Sequence, residues 1–382
     1  MADFGAMSHY DWSAHYALAG DLDFSEVVWT TAPVPDFGGK LEGNGFTISK
    51  LTIQGGGYLG LFAYLHRQAT VANLAVDDVN VVGCEWSRYL GGLAAVNSGL
   101  IDNCSISGRL SLADHSQYAG GLVGENSSEG VLSHNIVSCD LFAGDYGIYL
   151  GGVAGNSYGT VVETRTVGAI SCGNRSQLIG GLVGSTNGSI RASLAAGSIL
   201  AGDGCDHLGG LSGISDGVVT RSGASGAIFC GNDCTNIGGL IGKQTGDFIE
   251  SSYAKGDISG GSGCKAMGGL AGAVCVADIS NCYATGSISD CEASEYLGGL
   301  VGLDDSGYYV RCYATGSIPT AASNQHCAGF TTGGTFVHSM AYHCFWDVET
   351  SRQETSTGGT GKDHCRDADR CHLPRRGLGL RR

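Results

Sequence analysis

The chain has 382 residues, 66 of them glycine and 4 proline, with 42% apolar and 15% charged residues, against about a quarter charged in an average soluble domain. Glycine at this level without a strict Gly-x-y period excludes collagen, and the apolar content excludes a simple disordered polymer. A formal charge of −15 lacks the basic footprint of a nucleic-acid binder, so no nucleic-acid partner is expected.

In chain order, residues 1–57 read as an N-terminal lead-in and cap. The opening "MADFGAMSHYDWSAHYALAGDLDF" has neither a basic n-region nor an apolar h-region, so no export signal is read from it. No apolar run approaches the roughly 18 residues of a membrane span.

Residues 58–335 repeat themselves. The pattern hydrophobic-Gly-Gly-Leu/Val has its first glycine at Gly91, Gly120, Gly151, Gly180, Gly209, Gly238, Gly268 and Gly298, at intervals of 29, 31, 29, 29, 29, 30 and 30 residues. Degenerate copies at Gly60 and Ala328 extend the series to ten units. The residue before this position (Leu59, Leu90, Ala119, Leu150, Ile179, Leu208, Ile237, Met267, Leu297, Cys327) is apolar in every unit. So is the residue two after it (Phe62, Leu93, Leu122, Val153, Leu182, Leu211, Leu240, Leu270, Leu300, Phe330).

The rest of each unit, clearest in "DISNCYATGSISD", is short β-type runs between glycines, with no sustained 3.6-residue period. A unit of about 30 residues with two or three short strands cannot bury its own apolar column and must stack on its neighbours. The expected fold is therefore all-β, a right-handed parallel β-helix of about ten coils, roughly 50 Å long at a strand spacing near 4.8 Å. A β-propeller, which needs about 40 residues per blade, fits poorly. The glycines are expected to supply φ > 0 or a missing Cβ at the corners.

Sixteen cysteines are many for a reducing compartment, and no Cys-x-x-Cys pair suggests zinc. Stacking would align Cys205, Cys234 and Cys264, and separately Cys282 and Cys312, within disulfide reach. Small buried thiols are the other reading of the same columns.

The repeat "GGLVG…ISNCYATGSIS" resembles the GLUG repeat of bacterial extracellular and surface proteins, among them adhesin-like proteins and the non-catalytic regions of IgA-specific metallopeptidases. "HYALAGDLDFS", "FGGKLEGNGFTISKLTI" and "YLGLFAYL" look like the lead-in to such repeats, and "CFWDVETSRQETSTGGTGK", within a closing segment at 336–362, looks like their end. The resemblance spans roughly residues 12–362. It implies an extracellular or cell-surface β-helix, part of a larger polypeptide, with no single activity. Beyond Lys362 relatives continue in the manner of "TTAEMQ…TF…AGWDF". Dropping one nucleotide after that codon lets the tail be reread as "TTAEMQTDATFLDAGWDF". Residues 363–382 are accordingly expected to be an out-of-frame reading.

The chemistry of enzymes on this fold is hard to find. No His is followed by Glu, so His-Glu-x-x-His is absent, as are Gly-His-Gly and Arg-Ile-Lys of polygalacturonases. A polysaccharide lyase or glycoside hydrolase remains the alternative, built on acidic pairs such as Asp21/Asp23, Asp77/Asp78 or Asp304/Asp305. Asp304 and Asp305, in an Asp-Asp-Ser-Gly turn, are the candidate Ca²⁺ contact; no other cofactor is expected. Two aromatic columns, Tyr58, Tyr89, Tyr118 and Tyr149, and Tyr253, Tyr283 and Tyr313, are candidates for binding an extended polysaccharide or cell-surface glycan, or else simply stabilise coil edges. His115 and His134 read as isolated surface residues. The functional expectation is a non-catalytic surface β-solenoid, adhesin-like in binding or serving as a spacer.

Overall fold

The computed structural model describes residues 13–334 and 339–363. Every paired strand runs parallel to its neighbours one coil away, which is what an apolar column repeated at constant spacing requires. Twelve strands, from His15–Ala17 to Met340–Tyr342, line one face. Eleven, from Val34–Phe37 to Thr331–Gly333, line a second. A third set of short strands closes each coil. The result is a β-solenoid of about eleven turns.

One central coil shows how a unit is laid out. Gln177–Gly180 leads into the Gly-Gly-Leu corner, Val183–Thr186 lies on the second face and Ser189–Arg191 on the first, and Leu194–Ala195 with Ile199–Ala201 return along the third. The next coil repeats this 29 residues later, Gly180 pairing with Gly209 and Gly209 with Gly238.

Both apolar columns lie inside. Leu150, Ile179, Leu208, Ile237, Met267 and Leu297 are fully buried, as are Leu182, Leu211, Leu240, Leu270 and Leu300. Their ladder is the principal source of stability, at about 1.5–3 kcal/mol for each fully buried aliphatic side chain.

Two polar ladders also run inside. In the first, Asn97 Nδ2 donates to Asn126 Oδ1 (2.9 Å), Asn126 Nδ2 donates to Ser157 Oγ (3.2 Å), and Thr186, Ser215 and Gln244 continue the column. In the second, the amide of each residue donates to the hydroxyl of the next coil's: Thr164 to Ser193, Ser193 to Ser222, Ser222 to Ser252. Each ladder satisfies buried corner amides that turning the chain would orphan.

The corner glycines act by close approach, since they do not lie among the glycines with positive φ. A Cβ on Gly180 would sit 1.9 Å from the Val183 carbonyl oxygen, within its own coil. The left-handed turn is made instead by the residue two positions earlier. Tyr58, Tyr89, Tyr118, Tyr149, Leu178, His207, Asn236, Ala266, Tyr296 and His326 all have φ between 53° and 62°. Each such non-glycine residue costs about 1–2 kcal/mol locally, offset by the packing that the corner allows.

The lead-in is continuous with the solenoid. His15–Ala17 pairs with Lys40–Glu42 and Val34–Phe37 with Phe62–Leu65, in the same sheets as the repeats. At the other end Phe345–Asp347 and Thr360–Lys362 add strands. Between them is one helical turn, Val348–Ser351, capped by Asp347 Oδ1 accepting from the Thr350 amide at 3.0 Å. Residues 1–12 of the lead-in, 336–338 of the closing segment and 364–382 of the tail lie outside the described residues.

Candidate binding surface

A residue held in the left-handed conformation at a corner carries its side chain to the flank of the coil, and the same position one coil on lies about 4.8 Å away. Rings in such a column must stack. Tyr58, Tyr89, Tyr118 and Tyr149 do, with successive centroids 5.0, 4.8 and 4.6 Å apart and planes within 15°. Burial comes first among the causes that raise the phenol of Tyr118, which is pushed up to about 12.

The second column also forms. Tyr253–Tyr283 and Tyr283–Tyr313 stack at 5.3 and 5.1 Å, and the register continues from Tyr313 to Phe345. Stacking changes what these ladders can offer. A ring covered on both faces by other rings cannot lay a face on a pyranose. What a ladder presents sideways is a row of ring edges and hydroxyls.

A third stack escaped the sequence reading. Trp86, His115 and Tyr146 lie face to face at 4.1 and 4.9 Å, and Arg175 continues the column, donating from its guanidinium to the Tyr146 hydroxyl at 2.8 Å. The intervals of 29, 31 and 29 residues are those of the repeat, but the column mixes four residue types. Trp86, 61% exposed, ends it. His115 is thus a ring in a stack and not an isolated residue.

His134 is not isolated either. Its Nδ1 lies 2.9 Å from Asp102 Oδ1 and its Nε2 3.2 Å from Glu163 Oε2, carboxylates of the coils on either side. The hydrogen bond to Asp102 raises the imidazole above its ordinary value.

Each acidic pair has at least one carboxylate engaged by the fold, while Asp305 Oδ1 is buried without a hydrogen-bond partner among the described residues. Asp21 Oδ1 accepts from the Thr47 amide at 2.8 Å, Asp23 from the Ser25 amide at 2.9 Å, and Asp77 from the Ser107 hydroxyl. Asp304 and Asp305 alternate along Val301–Asp305, so Asp304 turns inward, 1% exposed, while Asp305 is half-buried. Asp304 occupies the position that Gln244 and Val274 hold in earlier coils, and its Oδ1 accepts from the Gly307 amide at 3.0 Å. Burial, the largest influence on it, pushes its carboxyl up. It therefore returns a polar group to that interior column beyond Val274 and closes its own turn. No cluster of three or more His, Cys, Asp or Glu suited to a metal ion occurs among the described residues.

The expected vertical disulfides are not formed, for all fourteen described cysteines are free thiols. The columns themselves are in register: Cys205, Cys234 and Cys264 each precede a paired strand residue, Asp206, Thr235 and Lys265. Identical positions one strand spacing apart hold their Cβ atoms near 4.7–4.9 Å, wider than the 3.5–4.5 Å usual across a disulfide.

Among the described residues no helix is long and apolar enough to cross a membrane. No family model matches the chain, and no solved structure matches it. Over 103 residues, 26% of this chain, it is 35% identical to Halomucin of Haloquadratum walsbyi. The matched stretch is 1% of that protein, so the chain spans a very small part of the curated relative it resembles.

Proposed function

We propose that the chain is a non-catalytic extracellular or cell-surface β-solenoid of the GLUG-repeat type, an adhesin-like binding or spacer module within a larger polypeptide. The observation that carries this reading is the uniform flank. Coil follows coil in parallel register, and Asp21, Asp23, Asp77 and Asp304 are each tied into a turn or a neighbouring coil. An adhesin or spacer needs length and repetition; a polysaccharide-cleaving enzyme needs converging acids across a cleft. The partial likeness to a protein named as a mucin supports an extracellular setting.

Within this reading the tyrosine ladders bind glycans edge-on. Their hydroxyls form a row parallel to the rod axis, suited to hydrogen bonds with an extended chain. The charge of −15 favours neutral over acidic polysaccharides. The test is incubation of the chain with neutral and acidic polysaccharides, following both retention on the immobilised glycan and glycan chain length. Retention by neutral glycans that is weakened in Tyr118→Ala, without shortening, supports binding, and no retention with intact chains leaves the spacer role. Shortened chains would overturn the proposal in favour of a lyase or hydrolase.

A further inference from the structure

One stacked column ends on a ring whose outer face stands open. Trp86, His115, Tyr146 and Arg175 occupy the same corner of successive coils, with φ between 56° and 63°. His115 takes one face of the indole, at 4.1 Å and 15° from parallel. The other face is turned to the preceding coil, and that coil has no corner to cover it. Gly83 pairs with Gly55 and Arg88 with Gly57, so residues 84–87 stand opposite Gly56 alone. The next two coils keep the full corner, residues 113–116 and 144–147, between their own paired positions.

Other stacks close their ends. A Cβ on Gly223 would fall well inside contact distance of the Tyr253 ring, which lies flat on that glycine. Tyr64 meets Tyr58 at 4.9 Å, and Lys362 Nζ lies 5.2 Å from the centre of the Phe345 ring. Beneath Trp86 the space is vacant. Within 4 Å a Cβ on Gly56 would meet only the sulfur of the exposed Cys84, at 3.3 Å, and one on Gly57 only the Arg88 carbonyl oxygen, at 3.6 Å. The indole does not fold down onto these glycines and remains 61% exposed.

An open indole face takes the C–H face of a sugar, a cation or another flat ring. Glu85 and Arg88, both exposed, flank the indole with opposite charges, so its rim does not select a cation. The charge of −15 disfavours a nucleic acid. A neutral ring bearing hydroxyls suits both the face and the rim, where a carboxylate accepts and a guanidinium donates.

We propose that the open face of Trp86, above the glycine shelf of residues 55–57, is a stacking subsite for one neutral pyranose of a glycan. The sugar takes the place of the missing ring in the column, about 4.8 Å from the indole, with its hydroxyls turned to Glu85 and Arg88. The site is separate from the tyrosine ladders, which present edges where Trp86 presents a face, and does not depend on them.

The test titrates the full chain with cellotetraose and maltotetraose, following tryptophan emission and saturation transfer from protein to sugar protons. Among the described residues Trp86 is the exposed tryptophan, Trp29 being half-buried and Trp346 buried. A change in emission with saturation transfer is expected, with affinity about tenfold weaker in Trp86→Ala. Gly56→Leu, at an ordinary φ where only the Cys84 sulfur must turn aside, fills the space beneath the indole and should abolish binding with the tryptophan in place. Tyr118→Ala should bind as the unsubstituted chain does. No response to either sugar, or an undiminished one in Trp86→Ala, would overturn the proposal. Binding lost in Tyr118→Ala but kept in Trp86→Ala would also sink it, while leaving the ladders as the glycan surface. An emission change with tetramethylammonium and none with the sugars would assign the face to a cation instead.

Discussion

Three glycines separate the reasons a solenoid might need that residue, and replacing each by alanine tests them. At Gly209 a Cβ would lie 1.9 Å from the Ser212 carbonyl oxygen and 2.7 Å from the Gly242 amide nitrogen of the next coil. Both are backbone atoms held in register by neighbours, so relief requires the strand to move by more than an ångström. Overpacking in a rigid interior costs about 1–3 kcal/mol and occasionally more, and Gly209→Ala belongs at or above the top of that range. Gly45 has nothing within 4 Å of its Cβ position but a φ of +76°, so Gly45→Ala costs only the left-handed penalty of about 1–2 kcal/mol. Gly20 has neither constraint, and Gly20→Ala should be neutral or stabilise by about 0.4–1 kcal/mol through the unfolded chain. Urea unfolding of the three variants gives the order directly. A Gly209→Ala midpoint equal to that of the unsubstituted chain, or a larger loss at Gly45, would refute the argument that these corners are set by backbone approach.

Other substitutions probe the ladders. Asn126→Ala removes the acceptor for Asn97 and the donor to Ser157 and to the Gly130 carbonyl; stranding buried polar groups costs about 1–3 kcal/mol each, read as a lowered urea midpoint. Tyr118→Ala deletes two stacked pairs, each worth about 0.5–1.5 kcal/mol beyond burial, and thermal unfolding should show a loss of about 1–3 kcal/mol. Asp304 has a folded pKa raised by burial above the ordinary 3.8. Its protonated form is the one the fold prefers, so its contribution is fully present below pH 3.8 and is lost as pH rises through the folded value. Asp304→Asn should therefore raise stability at pH 7 and leave it nearly unchanged at pH 3; equal effects at both pH values would exclude the linkage.

The length of a coil and the core were legible because burial follows period. Leu208, Ile237 and Met267 recur at nearly constant spacing, and no arrangement but stacking hides them all. What the repeat could not reveal was which atom limits each corner. Of the two roles the sequence allows a corner glycine, a left-handed turn or a missing Cβ, the second holds: residues as bulky as Tyr149 take φ > 0 while Gly151 gives way to a neighbouring carbonyl. Contact geometry, not propensity, decides that. The Trp86–His115–Tyr146 stack stayed hidden because its members share a position but not a chemistry. The same holds for His134, whose partners Asp102 and Glu163 become neighbours only when coils 29 to 32 residues apart are superposed. The tyrosine columns were found, but not that stacking would cover their faces.

The hydrogen bonds of the sheets run along the rod, from each coil to the next. Tension applied between the ends therefore loads these bonds along their own direction, a coil at a time, instead of shearing a whole sheet at once. A coil that peels away sacrifices about 5 Å of rod but releases roughly 100 Å of extended chain, at about 3.3–3.6 Å per residue. Such a molecule yields to pulling in small successive steps and lengthens many-fold before it parts.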